Sequence, residues 1–195
     1  LVGERAAQTP GLLSSVVALA ERTGARLAWV PRRAGDRAAI EAGLLPGLLP
    51  FGRGIDEAGA QSLGWGELPE RGLDAKQMIE EAASGKLKAL VVGGVDVRDF
   101  DASAAVRDAL DEVPFLVSLE VRASEITDRA DVVLPVAPAV EKNGTYINWE
   151  GRLRPFGQAR SATSLTDRDV LVRLAEEVDA DLGITTLSDL YAEVN

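Results

Sequence analysis

The sequence of 195 residues contains no cysteine and no histidine. Without cysteine, the chain cannot form disulfides, supply a thiolate nucleophile, or hold iron–sulfur clusters through its own sulfur atoms. Without histidine, it lacks the side chain that most often serves as a general base or metal ligand near neutral pH. Any catalysis would depend on carboxylates, lysine or tyrosine with strongly shifted pKa values. We therefore expect no catalytic residues and no metal site in this chain.

Long apolar runs and an excess of positive charge are also missing. No stretch approaches the ~18–20 apolar residues of a membrane-spanning helix, and no secretory leader is evident. A net charge of −10 disfavours binding to nucleic acid or to anionic membrane surfaces. The composition predicts a soluble globular protein, with no nucleic-acid partner and no direct membrane insertion. Because the chain opens with Leu1 and not Met, we expect it to be a fragment of a longer protein.

Helical and strand-like segments alternate along the chain. Apolar, strand-like runs occur at 25–30, 88–94, 114–119 and 131–136. Amphipathic segments predict helices at 9–24, 74–85, 103–112 and 165–183, with shorter helices at 36–42 and near the C-terminus. Short links between alternating elements are typical of βαβ units. The pattern predicts an α/β fold with a mostly parallel, doubly wound sheet flanked by helices.

Capping residues and apolar faces define the predicted helices. Thr9 followed by proline predicts the start of the first helix, and Gly24 its end. The pairs Asp74/Gln77 and Thr166/Asp169 have the spacing of a capping box. The side chains predicted to be buried are Leu12, Leu13, Val16, Leu19 and Ala20 in the first helix, Met78, Ile79 and Ala82 in the second, and Val170, Leu171, Leu174 and Val178 in the last long one.

Three regions follow from this pattern. Residues 1–53 form a helix–strand portion of the α/β region, and residues 54–73, which are polar and rich in glycine, a linker or surface excursion. Residues 74–195 hold the main α/β portion with the C-terminal helices. Within it, residues 141–156 predict a connector that resembles a β-hairpin around Glu150 and Gly151, after a separate turn at Asn143–Gly144.

The sequence VVGGVD places Gly93, Gly94 and Asp96 directly after a predicted strand. Ligands of open α/β sheets bind at the carboxyl ends of the strands, and glycines let backbone N–H groups approach a phosphate. The alternative is a tight turn that needs positive φ. A second candidate, an anion site at Arg32, Arg33 and Arg37, competes with solvated or salt-bridged arginines.

The densest polar cluster lies in the connector. Its residues are Glu141, Lys142, Asn143, Gly144, Thr145, Asn148, Trp149, Glu150, Gly151 and Arg152. The two glutamates could form an acid/base pair if the fold brought them together. Alternatively, the polar side chains satisfy backbone groups where irregular chain runs beside a buried sheet, and Trp149 is a buried anchor.

Residues 117–156, VSLEVRASEITDRADVVLPVAPAVEKNGTYINWEGRLRPF, resemble a segment of the molybdopterin oxidoreductases. In that family an ADVVLP strand leads to an E-K-x-G-T-x-x-N-x-E-G-R connector, and every fixed position of the connector is present here. Trp149, together with ARLAWVPRRAGDRAAIEAGLLPGLLP near the start, is most similar to the G-subunit family of bacterial NADH-quinone oxidoreductases, respiratory complex I.

This resemblance implies a function at the level of the whole subunit. G subunits transfer electrons through N-terminal iron–sulfur clusters in the cytoplasmic arm of a membrane complex, so the expected partners are its other subunits. In molybdoenzymes this half of the α/β region contributes to a pterin-dinucleotide pocket, where the strand equivalent to LVVGG leads into Asn–Pro. Here Asp96 follows instead, which disfavours a phosphate-bearing cofactor.

The resemblance thus implies a redox-inert scaffold without a cofactor of its own. The vestigial cofactor-binding candidates are Gly93, Gly94, Asp96, Glu141, Lys142, Gly144, Thr145, Asn148, Glu150, Gly151 and Arg152. One alternative is the C-terminal part of a molybdopterin enzyme, such as a formate dehydrogenase or nitrate reductase, in which these residues support catalysis. Another is a free-standing nucleotide-binding module.

Overall fold

The computed structural model describes residues 1–3, 6, 9–31, 35–64, 66–67, 70–100 and 102–194. The helices in these ranges are α1 (Leu12–Thr23), α2 (Asp36–Glu41), α3 (Glu57–Ser62), α4 (Ala75–Ala83), α5 (Ser103–Asp111), α6 (Asp167–Glu177) and α7 (Leu187–Val194). The strands are β1 (Leu48–Leu49), β2 (Arg53–Gly54), β3 (Leu90–Gly93), β4 (Leu116–Glu120), β5 (Val132–Pro135), β6 (Gly144–Ile147) and β7 (Leu153–Phe156).

The central sheet consists of β3, β4 and β5 in that order, and both pairs are parallel. Leu90 pairs with Leu116, and Val117 pairs with Val132, so the carboxyl ends of the three strands lie at one edge. Helix α5 connects β3 to β4 as a βαβ crossover, while a turn at 124–130 connects β4 to β5. The predicted α/β class with a parallel sheet is confirmed.

Helices cover both faces of this sheet because alternate strand residues point to opposite sides. On one face, Leu116 packs with Val106 and Leu110 of α5 and with Ile126 of the turn. On the other face, Leu119 and Val136 pack with Val170 of α6. The core is therefore built around β4, the middle strand.

Two predicted capping boxes are confirmed. In α4, the backbone N–H of Gln77 donates to Asp74 Oδ1 at 2.8 Å, and the backbone N–H of Asp74 donates to Gln77 Oε1 at 2.9 Å. In α6, Thr166 and Asp169 make the same reciprocal pair. These bonds satisfy N–H groups that a helix start leaves without a partner.

The predictions for residues 9–30 are partly wrong. Helix α1 begins at Leu12, not at Pro10, because Gly11 has a φ of 77° and breaks the helical path before it. Residues 25–30 form no strand and are exposed along their whole length. Their apolar composition suits a strand, but a strand also needs a neighbouring chain to accept its backbone hydrogen bonds.

Parts of the predicted apolar faces are exposed. Of the α1 face, only Ala20 is buried, and the Leu19 side chain is 61% exposed. Met78 of α4 and the α6 residues Leu171 and Leu174 are likewise exposed. Helix α6 ends at Glu177 and not at Gly183. The α1 face is therefore exposed apart from Ala20, whereas Ile79 and Ala82 of α4 and Val170 of α6 pack in the core as predicted.

The early end of α6 has a local cause. Asp179 adopts a left-handed conformation with φ of 60°, and the backbone N–H of Ala180 then donates back to the carbonyl of Ala175 at 2.9 Å. Such a residue ends a helix because its backbone cannot continue the right-handed path.

Residues 54–73, expected to be a linker or surface excursion, contain regular structure. The β1–β2 hairpin crosses the predicted boundary at residue 53, since Leu48 pairs with Gly54. Asp56 caps α3 by accepting from the backbone N–H of Gly59 at 2.7 Å.

Candidate functional site

The first candidate site is a cavity of about 550 Å³ at the carboxyl ends of β3 and β4, which we call the sheet-edge cavity. Two segments line it, residues 94–98 after β3 and residues 120 and 122–126 at and after the end of β4. Gly94 and Asp96, two predicted site residues, are in the first segment. Gly94 has a φ of 62°, and a Cβ there would meet nothing within 4 Å. Its conformation is thus required by the turn itself.

Asp96 is held by its neighbour two residues on. Its Oδ1 accepts from the backbone N–H of Arg98 at 2.9 Å and from the Arg98 Nε at 3.0 Å, and its Oδ2 accepts from the other end of the guanidinium at 2.6 Å. The side-chain hydrogen bond from Arg98 lowers the pKa of Asp96 far below its usual range, with a further contribution from the charge of Arg122. Asp96 is therefore an anion at neutral pH.

A second ion pair involves Glu125, which lines the same cavity. Arg107 of α5 donates from Nε to Glu125 Oε2 at 2.5 Å and from its other nitrogen to Oε1 at 3.0 Å. The Arg107 hydrogen bond lowers the pKa of Glu125, and Glu125 raises the pKa of Arg107 in return. The bidentate pair ties α5 to the turn between β4 and β5.

The start of the connector is held by a buried carboxylate. Glu141 is only 6% exposed. Its Oε2 accepts from the backbone N–H of Thr163 at 3.0 Å and from the Thr163 hydroxyl at 3.2 Å, and Arg160 approaches its Oε1 at 3.8 Å. The carboxylate thus joins the connector to a loop 22 residues further along the chain.

A second cavity, of about 780 Å³, lies between the connector and the first residues of α6 and α7; we call it the connector cavity. The predicted site residues Glu141, Lys142, Gly144 and Thr145 line it. The Lys142 ammonium is paired with Asp167 of α6. Thr145 Oγ1 and the Tyr191 hydroxyl of α7 share a hydrogen bond of 2.8 Å.

The remaining cation of the connector cavity is paired as well. Arg168 donates from its guanidinium to Asp169 Oδ1 at 2.5 and 3.0 Å. Burial raises the pKa of Asp169, but the hydrogen bonds from Arg168 and Thr166 outweigh burial and lower it. The lysine and the arginine of this cavity are therefore each bound by a carboxylate of the same chain.

The other predicted connector residues form the tip of the β6–β7 hairpin, which is antiparallel as expected. Asn148 Oδ1 accepts from the backbone N–H groups of Glu150 and Arg152 at 3.1 and 2.8 Å, and its Nδ2 donates to Glu150 Oε2 at 3.2 Å. Gly151 has a φ of 81°, which its place in this turn requires. The polar side chains at the tip thus close their own turn.

Two expectations for the connector are wrong. Trp149 is not a buried anchor, because half of the residue is exposed; its carbonyl accepts a hydrogen bond from Arg37 at 3.2 Å. Gly144 does not form a separate turn with Asn143 but is the first residue of β6. A Cβ at Gly144 would lie 2.6 Å from the Phe156 ring, so crowding and not positive φ selects glycine here.

The structure therefore divides the predicted site residues among three places. Gly94 and Asp96 line the sheet-edge cavity, and Gly93 ends β3 beside it. Glu141 lines the connector cavity, whereas Glu150 is at the hairpin tip with different partners, so the two glutamates form no acid/base pair. Arg32 and Arg33 lie outside the described residues, while Arg37 binds Glu41 and the hairpin.

Sequence reasoning missed several residues that line these cavities. Arg98, Arg122 and Glu125 line the sheet-edge cavity, and Asp167 lines the connector cavity. Arg122 could have been found, because it follows β4 by two residues and strand ends converge at one edge of a parallel sheet. No local pattern indicates that Asp167 pairs with Lys142 across 25 residues.

The family model of the molybdopterin oxidoreductases matches residues 7–176 of the chain. The chain belongs to the molybdopterin oxidoreductase family.

Two groups of relatives illustrate its similarity. Over its whole length it is 48% identical to the G subunits of the NADH-quinone oxidoreductases of Streptomyces coelicolor and Mycobacterium bovis, and it spans a quarter of the length of each. Over 80% of its length it is 32% identical to the putative formate dehydrogenase YrhE of Bacillus subtilis, where it covers 17% of the relative.

The family implies a molybdopterin cofactor, and the sheet-edge cavity is where its phosphates would be expected. Three carboxylates line this cavity, Asp96, Glu120 and Glu125, against the two arginines Arg98 and Arg122. The Arg98 guanidinium already binds Asp96. A pyrophosphate would have to displace Asp96 from Arg98 and would meet the carboxylates of Asp96 and Glu120, so these residues do not fit the phosphate-bearing part of the cofactor.

Two further observations concern metals and membranes. In the described ranges, no group of three or more carboxylates is arranged so that it could hold a metal ion. Within the same ranges, no helix has both the length and the apolarity needed to cross a bilayer.

Proposed function

We propose that this chain is a redox-inert scaffold domain of the iron–sulfur G subunit of an NADH-quinone oxidoreductase. The G subunits of Streptomyces coelicolor and Mycobacterium bovis support this proposal, because the identity of 48% extends over the entire chain. In such a subunit, electrons from NADH would pass towards quinone through iron–sulfur clusters held by other parts of the longer polypeptide. This chain would have its place in the peripheral arm, on the cytoplasmic side of the membrane.

The hydrogen bonds and the ion pair formed by the connector's polar side chains are the main support for the scaffold proposal. Glu141 binds Thr163, Lys142 pairs with Asp167, and Asn148 closes its own turn. A catalytic or cofactor-binding group needs a side chain that is available to a ligand. Here the motif residues instead join the connector to α6 and to the following loop. The motif therefore supports a role in packing.

A scaffold role also predicts an absence of cofactors. We expect the purified 195-residue chain to contain no stoichiometric iron, molybdenum or zinc, because it lacks the thiolate and imidazole ligands by which proteins most often hold these metals. Elemental analysis that finds about one transition metal per chain would contradict this proposal. A formate dehydrogenase-like function, the alternative from the same family, would require molybdenum and a guanine nucleotide in the purified enzyme.

The test of the scaffold role is Glu141→Gln in the intact oxidoreductase that contains this chain. Glutamine keeps the shape and one carbonyl acceptor for Thr163, so the complex should assemble and keep its rate of quinone reduction. Glu141→Ala is the matched variant, since it removes the carboxylate that accepts from the Thr163 N–H and hydroxyl, and hydrogen bonds to charged groups contribute about 1.5–3 kcal/mol. It should lower the amount of assembled complex but not the rate per complex. A Glu141→Gln complex that assembles normally and loses most of its turnover would refute the scaffold role.

The exposed apolar face of α1 suits contact with another part of a longer polypeptide. Leu12, Leu13 and Leu19 of this face are all exposed, and relatives of this chain are about four times as long. We propose that the remainder of the longer G polypeptide covers this face. Buried apolar surface of this kind stabilises packing by roughly 25 cal/mol per Å².

Substitution of Leu19 tests this packing. Leu19→Lys should leave the melting temperature of the 195-residue chain unchanged, because the side chain is exposed in it. In the intact oxidoreductase the same change should lower the yield of assembled complex. Glu21→Lys, which changes an exposed polar residue of the same helix, is the control and should leave assembly unchanged. Equal yields for Leu19→Lys and wild type would show that this face stays uncovered.

A further inference from the structure

The arrangement around Asp96 resembles a bound anion supplied by the chain itself. Both carboxylate oxygens accept hydrogen bonds from Arg98, three in all, at 2.6–3.0 Å. The donors are a backbone N–H just past a glycine turn and a guanidinium. Phosphates are bound in proteins by the same two kinds of donor at the carboxyl ends of parallel strands.

The surroundings of this carboxylate would otherwise favour a small anion. Arg122 lines the same cavity and its charge favours the ionised form of Asp96. Of the two other lining carboxylates, Glu125 is bound by Arg107, and Glu120 accepts from the backbone N–H of Val121 at 2.9 Å. If the charge of Asp96 were removed, Arg98 and Arg122 would remain in the lining with two carboxylates. Both of those carboxylates, Glu120 and Glu125, already accept hydrogen bonds, so the arginines would be available to a small anion.

We propose that Asp96 is an internal counter-anion that occupies the phosphate-binding donors of the sheet-edge cavity and excludes phosphate-bearing ligands from it. The cavity is then a latent anion site, of about 550 Å³, which opens when the charge at residue 96 is removed. This inference rests on the proposed function in one respect, namely that the wild-type chain holds no phosphate-bearing cofactor.

The experiment measures the binding of inorganic pyrophosphate to the wild-type chain and to Asp96→Asn by isothermal titration calorimetry. Low ionic strength is used because salt screens exposed charges. Asparagine keeps the oxygen that accepts the Arg98 N–H, so the turn is retained while the charge is lost. We expect Asp96→Asn to bind pyrophosphate at least tenfold more tightly than wild type, which corresponds to about 1.4 kcal/mol.

Three variants accompany this measurement. Asp108→Asn makes the same charge change on the exposed face of α5, outside the cavity lining, and should bind as weakly as wild type. The double variant Asp96→Asn/Arg98→Gln should lose the gained binding, because Arg98 is the donor that Asp96 releases. Asp96→Ser, which keeps a hydroxyl acceptor for the turn, should also gain binding and replaces Asp96→Asn if that variant fails to fold.

The outcomes separate this inference from the proposed function. If neither folded variant of Asp96 binds more tightly than Asp108→Asn, or if the double variant keeps the gain, the counter-anion role is refuted while the scaffold function stands. If the wild-type chain itself binds pyrophosphate tightly, with the same affinity as Asp96→Asn, Asp96 excludes nothing. That result would overturn the inference and would also contradict a cofactor-free scaffold.

Discussion

Replacement of Gly144 by alanine tests how the connector hairpin is packed. A Cβ at this position would lie 2.6 Å from Cζ and 2.8 Å from Cε1 of Phe156, well inside van der Waals contact. The Phe156 ring is stacked on Tyr146, with centroids 5.0 Å apart and an angle of 25° between the rings. Because the crowded atoms belong to the end of a side chain, we expect the ring to swing away and to lose this stacking.

The magnitude follows from three contributions. Overpacking costs about 1–3 kcal/mol, and the aromatic pair contributes about 0.5–1.5 kcal/mol that is lost when the ring moves. Alanine offsets roughly 0.4–1 kcal/mol of this loss, because it reduces the conformational entropy of the unfolded chain. The net loss should be about 0.5–4 kcal/mol. In a domain of this size the melting temperature should fall by roughly 2–4 °C for each kcal/mol, as followed by circular dichroism.

Gly157→Ala is the matched control for this prediction. A Cβ at Gly157 would meet only Asn143 Oδ1, at 3.9 Å, so the melting temperature should stay the same or rise slightly. In a Phe156→Leu background, where the ring is absent, Gly144→Ala should cost much less, and the difference measures the coupling. An undiminished loss in that background, or an equal loss for Gly157→Ala, would refute crowding by the ring.

Three further predictions concern stability. Ser118→Ala should raise the free energy of unfolding in urea by about 1 kcal/mol, because the buried Ser118 hydroxyl has no partner among the described residues. Ser161→Ala, at an exposed serine, is the control and should leave the stability unchanged. A loss of stability in Ser118→Ala would contradict the reasoning. Trp149→Ala should cost less than the ~3–5 kcal/mol of a buried ring, since half of the side chain is exposed; a loss in that range on urea unfolding would show that the ring is covered. Arg107 lowers the pKa of Glu125 below its ordinary value of 4.5, so the pair's stabilisation is complete above that pH and is lost as the pH falls through the lowered pKa. Glu125→Gln should therefore weaken the loss of stability in acid, and an unchanged acid profile would argue against the pair.

Local physics explains what could be predicted from the sequence. The capping boxes at Asp74 and Thr166 were predictable because the two partners are three residues apart and meet as soon as a helix starts. The apolar runs of β3, β4 and β5 were predictable because strands of a parallel sheet are rich in apolar residues. Only the middle strand β4 is mostly buried, however, while Val91 of β3 and Val132 and Val133 of β5 are exposed. The family followed from a motif whose spacing is itself a property of the sequence.

Partners distant in sequence decided the rest. Residues 25–30 have the composition of a strand, but no local pattern can supply the neighbouring strand that would pair with them. Trp149 was expected inside and is half exposed, because a large ring is buried only where another element covers it. Gly144 was expected at a turn, yet Phe156, twelve residues away, makes glycine necessary there.

The candidate site was likewise predictable from the sequence only in part. By itself, the sequence determined that thiolate and imidazole groups are absent from this chain and that Gly94 and Asp96 follow an apolar strand. Only the tertiary structure decided that Glu141 is buried against Thr163 and has no contact in common with Glu150. The physical reason is that composition and periodicity act over a few residues, whereas hydrogen bonds across 22 or 25 residues depend on which elements the sheet brings together.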